Sequence, residues 1–142
     1  MPARPLPSPP PVHLDFDEAV RLREAGRLAE SLRLIEAVVA ERVSRNGREH
    51  FDSQCALSQS GRTLRAMGRF AEARAVHWEV LLIRERLYGP AFGYTTNSAG
   101  ILEQTLRMAK EVHEAELVRL TREFALLSYP VSFIGLRSTL GG

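Results

Sequence analysis

Sliding the chain against itself by 42 residues lays Gly26 on Gly68 and Gly47 on Gly89. The same shift aligns Leu22, Leu64 and Leu106; Arg23, Arg65 and Arg107; and Glu30, Glu72 and Glu114. Leu28, Phe70 and Val112 share an apolar column, and Ser31, Ala73 and Ala115 a column of small side chains. A fixed period of this length means that one supersecondary unit recurs and that each copy buries its apolar face only against its neighbours. About three copies are the minimum for such a stack to stand alone, and the 142 residues hold three.

Each unit reads as helix, tight turn, helix. In the second, Leu57, Gly61 and Leu64 make a stripe on the first helix, and Phe70, Ala73, Val76, Val80 and Ile83 make one on the second, so both faces are expected to share a core. Gly68 stands where the chain reverses, a place that favours positive φ. Glu30, Glu72 and Glu114 fall in the first turn of each second helix, beside the positive end of its dipole. The expected fold is all-α, three stacked antiparallel helix pairs, with units at about 14–51, 52–93 and 94–129. Ahead of them, residues 1–13 read as a flexible tail. Six of the eight prolines lie there, where fixed φ and missing amide donors exclude helix and favour extended polyproline II, a form that also suits an aromatic groove. Residues 131–142 read as an apolar C-terminal tail ending in Gly141-Gly142.

The run Met67-Gly68-Arg69-Phe70-Ala71-Glu72-Ala73, followed by Ile83-Arg84-Glu85-Arg86-Leu87-Tyr88-Gly89-Pro90, resembles the tetratricopeptide repeats of kinesin light chains and their bacterial relatives. The resemblance implies a right-handed solenoid whose first helices line a concave groove that holds a segment of another protein. It is weakest in the third unit. There Lys110 replaces the glycine of the reversal, and Arg119 stands in the column of Ile35 and His77. Either that unit is a cap with a polar outer face, or its apolar phase has moved onto Leu117, Leu120, Phe124 and Leu127.

Little in the sequence points to catalysis. His13, His50, His77 and His113 are scattered, Cys55 is the only cysteine, and no glycine-rich phosphate loop follows an apolar strand. No enzyme activity, metal site or cofactor is expected. No apolar run is long enough to span a bilayer and no secretory leader is apparent, so a cytoplasmic protein without membrane contact is expected. A net charge of +2, with no aromatic residues among the basic ones, argues against nucleic acid as partner.

The candidate working surface follows from helix geometry. Ser58, Arg62 and Arg65 recur at i, i+4, i+7, about 100° around the helix from the buried stripe. One period later stand Gly100, Gln104 and Arg107, and one period earlier Phe16, Val20 and Arg23. Residues 53–71 hold Arg62, Arg65 and Arg69 and no carboxylate, which suits a partner segment that is acidic or carries a carboxylate. The expected groove residues are Arg23, Ser58, Arg62, Arg65, Asn97, Gln104 and Arg107. The lysine and asparagine clamp of chaperone-binding tetratricopeptide domains is not reproduced. Phe133, Ile134 and Leu136 would either fold back over the last pair or dock on a second copy, and the second option makes the chain an oligomerising or regulatory subunit.

Overall fold

The computed structural model describes residues 3–4 and 12–141. The proline run and Gly142 lie outside the described residues. Seven helices follow one another: α1 (Val12–Glu24), α2 (Leu28–Asn46), α3 (Phe51–Ala66), α4 (Phe70–Tyr88), α5 (Gly93–Met108), α6 (Val112–Leu126) and α7 (Phe133–Thr139). Among the described residues there is no strand. Each of α1 to α6 packs against the next, which makes three helix pairs in an all-α stack.

The turn inside each pair is the same structure three times. Gly26 (φ 81°), Gly68 (φ 77°) and Lys110 (φ 64°) all adopt the left-handed conformation. Beyond them, the amides of Arg27, Arg69 and Glu111 donate to the carbonyls of Leu22, Leu64 and Leu106. This six-to-one bond closes a helix C-terminus. The third unit thus keeps the reversal without its glycine, at a cost of about 1–2 kcal/mol for a side chain in left-handed backbone.

The joints between pairs also repeat. Arg42 donates from Nη1 to the carbonyl of Asp52 at 2.8 Å, and Arg84, 42 residues on, donates from Nη1 to that of Tyr94 at 3.2 Å. Each guanidinium lies near an aromatic ring, Arg42 at 4.7 Å from the centroid of Phe16 and Arg84 at 5.5 Å from that of Tyr94. Leu126 occupies this column in the third unit.

Two apolar clusters form the core. Ala19, Leu32, Ile35, Val38, Ala56, Leu64 and Ala73 fill one, and Trp78, Leu81, Ala99, Leu102, Leu106, Ala115, Val118 and Phe133 the other. Ser31, Ala73 and Ala115 are fully buried, so the small column lies inside the core. Leu64 and Leu106 are buried, while Leu22, in the first unit, is half-buried. Helix α4 buries more than its expected stripe, adding His77, Trp78, Leu81, Arg84 and Glu85. It is enclosed by α3, α5 and α7.

The apolar phase of α6 has not shifted. Ala115, Val118 and Ala125 point inward, while Phe124 and Leu127 are 42% and 67% exposed. Its far side is polar: Arg119 replaces His77 and Glu123 replaces Leu81, and Arg119 pairs with Glu116 and, at 2.6 Å, with Glu123.

Residues 131–142, expected as a tail, contain α7, which lies across α4 and α6. Ser132 caps it by accepting from the Gly135 amide. The buried Glu85 carboxylate takes the remaining donors, from the Phe133 amide at 2.6 Å, the Ile134 amide at 2.9 Å and the Ser132 hydroxyl at 3.0 Å. Phe133 is fully buried, Leu136 half-buried and Ile134 44% exposed. The segment therefore folds back within its own chain, and Phe133 has no surface left to offer a second copy.

Candidate functional site

The first helices α1, α3 and α5 present the expected arginine column along one row. Its position depends on how α3 beds on α4. Gly61 has no side chain, and the imidazole of His77 fills that space: a Cβ there would lie 2.5 Å from His77 Cε1. Burial and then the guanidiniums of Arg65 and Arg62 push His77 down to about 3, so the ring is neutral.

That shift makes a pH dependence. An unfolded histidine takes up its proton near pH 6.5, but the folded one does not until about pH 3. Its contribution is nil above pH 7. Between those two values, stability should fall by about 1.4 kcal/mol per pH unit on its account. His77→Ile, which copies Ile35 of the first unit, should remove this share of the slope. Urea denaturation of both proteins from pH 6.5 to 4.5 checks it, and parallel curves would contradict it.

Next to His77 on the exposed side lie Arg62 and Arg65, with Arg23 from the preceding unit. All three are half-buried. Arg23 Nη1 donates to Gln59 Oε1 at 2.5 Å, and Arg65 Nη1 to Gln104 Oε1 at 3.2 Å and Thr105 Oγ1 at 3.4 Å. Each is thus positioned by a neutral side chain on the next first helix. Arg62 Nε is buried and without a partner. Among the described residues no carboxylate pairs with any of the three, although twelve arginine–carboxylate pairs form elsewhere. Burial, and then the neighbouring Arg62, holds Arg23 below the ordinary arginine value, and burial with Arg62 and Arg23 does the same to Arg65. The guanidiniums remain charged, crowded by one another and short of counter-charge.

The other expected residues separate from this cluster. Ser58 is buried at 8% exposure, one turn ahead of Arg62. Arg69 pairs with Glu72 at 2.8 Å. Gln104, exposed, accepts from Arg65, and Asn97, also exposed, stands two turns earlier on α5. Arg107 is neutralised by Glu103 at 3.1 Å and Glu116 at 3.3 Å. Together with Gly100, Gln104 and Met108, Glu103 and Arg107 line an open depression of about 520 Å³. The α5 stripe therefore does line a hollow, but one of balanced charge.

Three features escaped the reading of the sequence. His77 shares a column with Ile35, and nothing in the sequence shows that its ring fills the space beside Gly61. Glu85 caps a helix 48 residues away, which no local pattern announces. Phe51, Tyr88, Phe92 and Tyr94 form a contiguous aromatic cluster, and the presence of three of the four within seven residues was the available signal. Cys55 is half-buried, and burial raises its thiol above the ordinary value, the opposite of what a reactive thiolate needs.

Fold and exposed face define a short helical-repeat solenoid. Within it, residues 56–92 match the family model described as tetratricopeptide repeat; the matched stretch, from within α3 to the loop before α5, is similar to a repeat of that family. No curated protein matches the chain. Repeats of this family generally act as non-enzymatic modules that bind other proteins, and nothing among the described residues shows catalytic activity. None of the described helices is long and apolar enough to cross a membrane.

Proposed function

We propose that the chain is an adaptor that holds an acidic segment of a partner protein along the row of first helices, with Arg23, Arg62 and Arg65 as the principal contacts. The single observation behind this reading is that these three guanidiniums share one face and lack any carboxylate, in a chain that pairs most of its other arginines. A partner's carboxylates would supply what the fold withholds, and charge-assisted, bidentate bonds to arginine are the strong ones. Gln59, Gln104 and Thr105 hold two of the three side chains in place beforehand, which lowers the ordering cost of binding. Arg107 drops from the core of the site to its edge, since Glu103 and Glu116 already occupy it.

Exchanging Arg62 and Arg65 together for glutamate should weaken capture of the partner from an extract of the parent organism at least tenfold. The single change Arg107→Glu should leave capture within about twofold, as expected for a rim charge. Circular dichroism verifies that both variants fold. Equal capture by wild type and the double variant would remove the arginine row from the site, and loss only in Arg107→Glu would move the site to the hollow on α5.

A further inference from the structure

A second surface lies at one end of the stack, apart from the arginine row. Phe51 opens α3, Tyr88 closes α4, and Phe92 and Tyr94 stand at the start of α5. Their rings touch in sequence: Phe51 to Tyr94 at 5.0 Å, Tyr94 to Tyr88 at 5.6 Å, Tyr88 to Phe92 at 5.3 Å and Phe92 to Tyr94 at 5.4 Å between centroids. Phe51, Phe92 and Tyr94 remain 39%, 49% and 44% exposed. Four contiguous rings at the surface are a feature that a protein leaves open for an occupant more often than by accident.

The occupant is indicated by where the chain enters. Successive helices run antiparallel, so the N-termini of α1, α3 and α5 share one end of the stack, the end that carries the rings. Contact continues from α1 to the cluster: Arg42 lies over Phe16 at 4.7 Å and donates to the carbonyl of Asp52, the neighbour of Phe51. Immediately ahead of α1 come Pro5-Leu6-Pro7-Ser8-Pro9-Pro10-Pro11, which lie outside the described residues. Seven residues of polyproline II span about 22 Å. Helix α1 packs on α3, about 10 Å away, and Phe51 at the start of α3 lies 5.0 Å from Tyr94 of α5 between ring centroids. The segment is long enough to reach the cluster.

We propose that this aromatic cluster is the docking surface for residues 5–11 of the same chain. Proline rings pack on aromatic faces, and a polyproline II strand loses little entropy on docking because its form is already set. The direct tether to α1 raises the local concentration of the segment to about the millimolar range, ahead of any competing copy in dilute solution. The docked strand would cross the helix ends and cover the apolar rings.

Nuclear Overhauser contacts in the full chain test this. Ring protons of Phe92 and Tyr94 should show contacts to the δ protons of Pro7, Pro9 and Pro10, assigned apart from those of the neighbouring Pro90, and the joint change Pro7→Ala, Pro9→Ala, Pro10→Ala should abolish contacts to the 5–11 segment while helix content stays constant. Phe92→Ala, at an exposed position, should weaken the remaining proline contacts to Phe51 and Tyr94. Absence of contacts in the wild-type chain overturns the proposal. So does their appearance only between isotope-labelled and unlabelled chains in a mixed sample, which assigns the surface to a second copy. Contacts that survive the triple proline change also overturn it, because some other segment would then be the occupant.

Discussion

Replacing Glu85 with alanine should cost about 3–5 kcal/mol, the range for stripping buried donors of a charged acceptor and loosening a buried aromatic anchor. Its carboxylate accepts from two amides and one hydroxyl at the start of α7, and it is only 7% exposed. With it gone, the Phe133 and Ile134 amides lose their partners, and Phe133, now fully buried, loses the contact that orients it. Amide exchange at Phe133 and Ile134 should accelerate to the rate of an unprotected segment, and the urea midpoint should fall. Glu85→Gln keeps one carbonyl acceptor and should lose roughly half as much. Unchanged protection in the alanine variant would mean that Phe133 alone anchors α7.

Gly61→Ala is expected to destabilise by about 2 kcal/mol, although alanine is the better helix former by about 1 kcal/mol. Overpacking decides the sign. The added Cβ would lie 2.5 Å from His77 Cε1 and 2.9 Å from both ring nitrogens, and His77, at 2% exposure, has nowhere to swing. Such insertions into a packed core cost about 1–3 kcal/mol, occasionally more. The first unit solves the same geometry differently, with Ala19 and Ile35 at these two positions, both buried. The pair Gly61→Ala, His77→Ile should therefore be no less stable than wild type, with a coupling energy above about 1 kcal/mol. Thermal denaturation of the four proteins of the cycle measures it, and additive losses would disprove the idea that the two positions are matched.

The six-helix stack was legible because its cause is periodic. Gly26 and Gly68 mark the reversals, Ser31, Ala73 and Ala115 mark the core, and a period of 42 residues connects them. Unit three showed how far that reading carries. Lys110 hid the turn from a search for glycine, yet the turn forms, since packing of α5 on α6 outweighs a small backbone penalty. α7 was hidden for another reason. Seven residues are too few to display a helical period, and the group that caps them, Glu85, lies far back in the sequence.

The candidate site was partly legible in the same way. The column of Arg23, Arg65 and Arg107 is local and periodic, so it could be read. Whether each charge is cancelled depends on neighbours across the fold. Glu103, four residues before Arg107, was visible as a partner; Glu116, on the next helix, was not. The neutral partners of Arg23 and Arg65 also lie one unit away. The cations recur with the period and so are visible locally, whereas their pairing depends on contacts across the fold.

In a plain solenoid each unit touches only the next, so the terminal unit can peel away at the cost of a single interface. Here the last helix doubles back to grip the middle unit, which ties a knotless loop into an otherwise linear array. The third pair can then be unzipped from the second only if that clasp opens as well, so these two pairs should melt together.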